Sequence, residues 1–219
     1  SFDSPIVGSY YGEMLKDITS NNHVREVPSE AATHKFTAWD LGISDSTSIW
    51  TCEVLGGEVR ILDYYENHGQ SLDHYIAYLD ENGYRDYTHI LPHDVQVREL
   101  QTGKSRYEFL TDAGLNIDIC PKHSVEDGIV AVRKMLPNTW FKKDTTKYGV
   151  ECLRNYRRVF NEKLNVYQEK PLHDWSSHCA DAFRYLAMGM DTSGNIQRTN
   201  WGKPYETTYD GESYKSQYL

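Results

Sequence analysis

The hydrophobic pattern changes character at Lys35. Before it, residues 1–34 mix apolar and polar positions without a sustained period; Ser4-Pro5 and Val27-Pro28 interrupt the chain, and only residues 12–17 read as a short helix. After it come three β-rich runs at 36–41, 47–54 and 58–65, the first two joined through Ser44-Asp45-Ser46 and the last two through Gly56-Gly57. A Gly-Gly link between two β-rich runs marks a tight hairpin, so these are predicted to be sequential antiparallel strands. Residues 71–82 place Leu72, Tyr75, Ile76 and Leu79 on one helical face, with Asn82-Gly83 as the stop. A fourth strand ends at Asp94, and a polar loop over 95–104 follows it.

Further on, the pattern predicts a helix at 105–113 ended by Gly114, a short strand at 116–120 and a helix running to Leu136, with Ser124 and, three residues on, Asp127 as its N-terminal cap. Two longer helices follow. One spans 146–164 with Tyr148, Cys152, Tyr156, Val159 and Phe160 as its apolar stripe; the other spans 175–190 with Trp175, Cys179, Ala182, Phe183, Leu186 and Met190 facing the core and Asp174 as its cap. Residues 191–219 are polar, acidic and Tyr-rich without a period, and read as a disordered tail. The predicted domains are a linker segment at 1–34, a folded domain at 35–190 and the tail at 191–219. Three antiparallel strands, then helix and strand in alternation, then closing helices, describe an α/β mixed sheet flanked by helices, the ribonuclease H-like order. In that order the first and fourth strands lie side by side.

That adjacency gives meaning to three aspartates. Asp40 closes the first apolar run, Asp94 closes the fourth, and Asp181 lies in the last helical pattern, His178-Cys179-Ala180-Asp181-Ala182-Phe183-Arg184-Tyr185. Carboxylates converging from two strand ends and a helix form an all-oxygen cage suited to Mg²⁺ or Mn²⁺, and such ions activate water against a phosphodiester. Each residue also has a structural reading. A strand-end Asp is commonly a turn former, Arg184 could pair with Asp181, and His178, sharing a face with Asp181 and a candidate catalytic residue, could orient a ligand, take part in proton transfer or merely hydrogen-bond Asp181. Asp45 sits in a turn where its side chain would satisfy local backbone donors, or it could serve as a fourth metal ligand.

Composition adds less. A chain of 219 residues with 39% hydrophobic content supports one substantial core, with no run long enough for a membrane span and no signal-peptide pattern, so a cytosolic domain is expected. Cys52, Cys120, Cys152 and Cys179 form no CxxC pair and read as buried free thiols. The net charge of −9 opposes phosphate binding, but residues 98–163 carry 13 basic against 9 acidic groups, leaving 10 basic and 23 acidic groups elsewhere. Within that basic middle, Arg98, Lys104, Arg106, Lys142 and Lys143 are the candidates to meet phosphates, contacts that position a duplex without reading its sequence. Walker A, GxSxG and HExxH motifs are all absent from the sequence, which argues against a self-contained ATPase, a serine hydrolase or a zincin.

Taken with their spacing, these motifs resemble the C-terminal nuclease domain of the large terminase subunit of tailed bacteriophages. The resemblance runs from Ser1 to Met190 and rests on Ala38-Trp39-Asp40-Leu41-Gly42-Ile43-Ser44-Asp45, Leu91-Pro92-His93-Asp94 with Thr102-Gly103-Lys104-Ser105-Arg106, and the Asp181 segment. It implies two divalent ions held by Asp40, Asp94 and Asp181, with Asp45 and His178 near the site, and cutting of concatemeric viral double-stranded DNA when packaging starts and ends. It also implies an ATPase domain lying outside this chain, a portal protein and a small terminase subunit as partners, and work in the host cytoplasm at the procapsid by a domain that is monomeric alone. Two other readings stand beside it. One is a structure-selective resolvase or ribonuclease H-type nuclease with the same carboxylates; the other is a non-catalytic docking module using Tyr205, Tyr209, Tyr214 and Tyr218 against a portal or capsid protein.

Overall fold

The computed structural model describes residues 6–29, 34–42, 46–98 and 103–192, together with the two-residue strands Thr208–Tyr209 and Glu212–Ser213. The rest of the tail, and Asp45, lie outside the described residues. The chain runs α1 (Gly12–Ser20), β1 (Val24–Arg25), β2 (His34–Asp40), β3 (Ser46–Leu55), β4 (Glu58–His68), α2 (Leu72–Asn82), β5 (Thr88–Leu91), α3 (Arg106–Asp112), β6 (Asn116–Ile119), α4 (Val125–Met135), β7 (Thr139–Lys142), α5 (Lys143–Asn155), β8 (Arg158–Asn161), β9 (Val166–Pro171) and α6 (Ser177–Thr192).

Seven strands form one mixed sheet in the order β1-β7-β4-β3-β2-β5-β6, with β8 and β9 as a separate hairpin. β2, β3 and β4 are antiparallel neighbours as predicted, and β2 lies parallel to β5, so the first and fourth predicted strands are adjacent. This is the ribonuclease H-like arrangement. Side chains alternate across it. Phe36, Ala38, Trp50, Cys52, Ile61 and Ile90 face α1, α4, α5 and α6, while Trp39, Ile49, Leu91 and Ile117 face α2 and α3. Asp40 continues the Phe36–Ala38 side, so it opens toward α6.

The stretch read as a linker supplies α1, whose Leu15 and Ile18, with Tyr11 just before it, are buried in the larger core, and the edge strand β1, parallel to β7. The predicted helix over 146–164 is a shorter α5 followed by the β8–β9 hairpin. Its apolar stripe ran on through Val159 and Phe160, but those residues alternate into strand, and Asn165 at φ 51° turns the hairpin. β7 was not predicted. Thr139–Lys142 is only four residues long and merges with the helices on either side.

Two contacts fix α6 to the sheet. Trp50 Nε1 donates to the Cys179 carbonyl at 2.9 Å, and Cys179 Sγ lies 3.4 Å from the Gly149 carbonyl of α5. Gly149 has to be glycine: a Cβ there would sit within 3 Å of the Trp50 ring, which that hydrogen bond holds in place. Gly149→Ala is therefore expected to cost about 2 kcal/mol despite alanine's better helix propensity. A chemical-denaturation midpoint checks this; an unshifted or raised midpoint would show that the ring can yield. All four cysteines are free and buried, as expected.

Candidate active site

The end of the sheet where β2 stops gathers the acidic residues. Asp40 is the last residue of β2, its carboxylate 17% exposed, with Oδ2 2.9 Å from His178 Nδ1. Asp181 lies one turn further along α6, and its Oδ1 accepts from Arg184 at 2.5 Å. His178 thus serves Asp40 across the sheet, where the helical spacing alone had suggested Asp181. α6 begins at Ser177, so Asp174, expected as its cap, stands three residues ahead and closes the turn before it, its Oδ1 accepting from the Ser176 backbone at 2.9 Å and the Ser176 hydroxyl at 2.6 Å, while Trp175, expected on the core side, is 46% exposed.

Asp94 is not at a strand end. β5 stops at Leu91 because Pro92 carries no N–H to continue the ladder, and Asp94 sits in a 3₁₀ turn over His93–Gln96. It is exposed, and its charge still reaches Asp40. Burial above all, with the charges of Asp181 and Asp94, holds the Asp40 carboxyl above the usual carboxylate range, against the hydrogen bond and charge of His178. Tyr185 reports the same convergence: burial raises its hydroxyl first, and the charges of Asp40, Asp181 and Asp94 all add to the shift.

The donors are all carboxylate oxygens, which suit a hard divalent cation, and burial first, then the charges of Asp181 and Asp94, oppose ionisation of Asp40. Among the described residues no three acidic, imidazole or thiol groups are drawn tightly enough to enclose an ion. Like charges repel, and Asp40 and Asp181 have turned to His178 and Arg184.

One residue of this neighbourhood escaped the sequence. Asp40 pairs with Ser48 and Ser48 with Glu66, so the three lie in one row on one face. The Glu66 carboxylate accepts from the Tyr64 hydroxyl and, at 3.4 Å, from Ser48. Counting back from the hairpin pair Leu55 and Glu58 would have put Tyr65 opposite Ser48. The irregularity between Thr51 and Cys52 shifts the register by one and turns Glu66 to the Asp40 face.

The basic candidates divide. Arg106 Nη1 donates to the Leu41 carbonyl at 3.3 Å, which puts it beside the end of β2. Arg98 and Lys104 are exposed and pair with Glu108 at 3.3 Å and Asp112 at 2.9 Å. Lys142 and Lys143 are not brought to this end. Phe141 pairs with Ile61, so Lys142 leaves the sheet four residues, roughly 13 Å, short of the Glu66 row.

The fold that carries these residues is similar to that of solved large-terminase nuclease domains. The chain is similar to the large terminase of a thermophilic bacteriophage in complex with ATP-gamma-S (17% identity, TM-score 0.63, 80% of this chain and 44% of that one). It is similar also to the large terminase nuclease of thermophilic phage G20c with bound magnesium (15%, TM-score 0.56, 86% and 99%) and to the nuclease domain of the bacteriophage SPP1 large terminase with bound manganese (16%, TM-score 0.53, 76% and 96%). The chain spans less than half the length of the terminase in complex with ATP-gamma-S. No protein-family profile matches the sequence, and no characterised protein matches it at the sequence level. No helix among the described residues is long and apolar enough to cross a membrane.

Proposed function

We propose that this chain is a divalent-metal-dependent endonuclease domain of the large-terminase type, cutting double-stranded DNA with low sequence specificity as genome packaging begins and ends. The observation that carries the reading is the convergence of Asp40, Asp181 and Asp94 at one end of a sheet. The fold is shared with nuclease domains that bind magnesium and manganese. Asp40, Asp94 and Asp181 would hold two Mg²⁺ or Mn²⁺ ions, with Asp45 a further candidate ligand. Bound there, the ions supply Lewis acidity for water attack on a phosphodiester and charge for the departing oxygen.

The chain's own residues prepare that site. His178 sets the rotamer of the Asp40 carboxylate, and Arg184 supports Asp181 from below. Arg106, at the end of β2, with Arg98 and Lys104 on the same connection, would hold phosphates, as would the more distant Lys142 and Lys143. In this reading the substrate is delivered by an ATPase domain of the same polypeptide, at a portal and with a small subunit, in the host cytoplasm.

Plasmid cleavage tests the proposal. Mg²⁺ or Mn²⁺ is expected to support cutting of plain supercoiled duplex, Ca²⁺ to occupy the site with little turnover, and excess EDTA to stop the reaction. Undiminished cutting in EDTA would sink the metal assignment, and strong preference for four-way junctions or RNA–DNA hybrids would overturn the terminase reading.

A further inference from the structure

Below Asp181 lies a buried polar cluster that the proposed chemistry does not use. Arg184 is 5% exposed, and its stem fills a slot that α4 leaves open: a Cβ on Gly128 would come within 3.1 Å of Arg184 Cδ. The guanidinium spends one nitrogen on Asp181, while its Nε, buried, has no hydrogen-bond partner among the described residues. Two tyrosine hydroxyls in the same cluster are buried in the same condition, Tyr11 from just before α1 and Tyr156 from the end of α5, each residue 1% exposed and the rings stacked 5.8 Å apart. The charge of Arg184 reaches both hydroxyls, and so does that of Asp181; the guanidinium already approaches the Tyr156 hydroxyl, without a well-formed hydrogen bond.

Three unsatisfied polar groups around one guanidinium are costly, since each has given up water without regaining a hydrogen bond. The cost has an explanation if the arrangement seen is one of two. A cation claiming Asp181 would strip Arg184 of its anionic partner and leave a buried charge, among the most destabilising events inside a protein. Two hydroxyl oxygens standing ready as acceptors remove that penalty.

We propose that Arg184 is a positioning residue that holds Asp181 while no cation is bound and, when a divalent cation takes Asp181, turns back onto the hydroxyls of Tyr11 and Tyr156. This rests on the proposed function, because it assumes that Asp181 is a metal ligand. It makes α1, in the segment that sequence pattern assigned to a linker, a determinant of how readily the site accepts metal.

The test is a Mn²⁺ titration read by the shift in melting temperature and, independently, by calorimetric binding. Replacing both tyrosines, Tyr11→Phe with Tyr156→Phe, is expected to change the stability of the metal-free protein far less than its Mn²⁺ requirement, because there the Tyr11 hydroxyl has no hydrogen-bond partner and the Tyr156 hydroxyl has at most a poorly aligned one to Arg184. The Mn²⁺ concentration for half-maximal shift is expected to rise about tenfold, the equivalent of one hydrogen bond to a charged group. Arg184→Gln is expected to act oppositely, lowering the metal-free melting temperature and reducing the Mn²⁺ requirement several-fold. Arg184→Lys should fall between Arg184→Gln and the parent.

If the double tyrosine variant titrates like the parent, or if Arg184→Gln folds and binds Mn²⁺ more weakly, the inference is overturned and Arg184 is a fixed support for Asp181. Should Arg184→Gln fail to fold, the tyrosine pair decides alone. A parent protein with no Mn²⁺ response overturns the proposed function and this inference together, whereas a responding parent with indifferent variants overturns this inference only.

Discussion

Asp40→Asn, Asp94→Asn and Asp181→Asn are each expected to lower DNA cleavage by about 10²–10³-fold or more, the size expected when several kcal/mol of transition-state charge stabilisation is removed. The three should differ in stability. Asp40 is the most enclosed, and its carboxyl is already held above the usual range by burial and by Asp181 and Asp94. Ionising it at neutral pH therefore costs stability, so Asp40→Asn is expected to melt higher than the parent while cutting far less. Asp181→Asn should melt no higher, since it weakens an ion pair to a buried arginine. A plasmid-relaxation assay beside a thermal melt reads both quantities. Near-normal cleavage by any one variant would remove that residue from the ligand set, and a lower melting temperature for Asp40→Asn would show that its bond to His178 outweighs its burial.

Acid should unfold the domain through a histidine on the opposite face of the sheet. His89 is fully buried and lies in a chain of hydrogen bonds: Trp39 Nε1 donates to Thr37 Oγ1 at 2.7 Å, Thr37 Oγ1 meets His89 Nδ1 at 2.7 Å, and His89 Nε2 meets the Arg85 carbonyl at 3.1 Å. The carbonyl can only accept, which assigns the proton to Nε2 and makes Nδ1 the acceptor of the Thr37 hydroxyl. Burial, the largest influence, lowers the pKa of His89 from 6.5 to about 4. The unfolded chain therefore binds the proton first as pH falls. Stability from this group is complete above pH 6.5, declines as the pH drops, and levels off near pH 4 after a loss of about 3 kcal/mol. Asp40 and Asp63, whose carboxyls are raised chiefly by burial, oppose the trend at the low end of that window. Denaturant titrations at pH 7, 5.5 and 4 measure the slope. His89→Asn, which keeps an amide near the Nδ1 position, should flatten it; an equally steep fall in that variant would locate the acid sensitivity elsewhere.

The antiparallel run β2–β3–β4 and the candidate aspartates could be read from local signals, whereas the edge strands β1 and β7 could not. The Gly56-Gly57 turn fixes the hairpin, and Asp40 and Asp181 sit inside well-patterned elements. What stayed hidden depends on contacts between distant residues. His178 and Asp40 are 138 positions apart, and no helical spacing reveals that the imidazole turns to the sheet instead of to Asp181. Glu66 was missed because a one-residue irregularity reverses the face of everything beyond it. The helix over 146–164 was overextended because Tyr156, Val159 and Phe160 fit a helical stripe as well as they fit the end of α5 and a hairpin strand. α1 has a clear apolar side, yet the short segment around it held too few periods to separate a core helix from a linker.

The anchoring of α6 by Trp50 also bears on when the protein becomes competent during its synthesis. α6 covers β2 and β3 and at the same time brings His178 and Asp181, so the sheet cannot finish its core before the residues that complete the acidic cluster have left the ribosome. Closing so long a loop is entropically slow, and the strands that await it expose apolar faces meanwhile. A nascent chain stopped short of Ser177 would be an unfinished sheet lacking His178 and Asp181, so that in this architecture the finished core and the finished acidic cluster arrive in a single step.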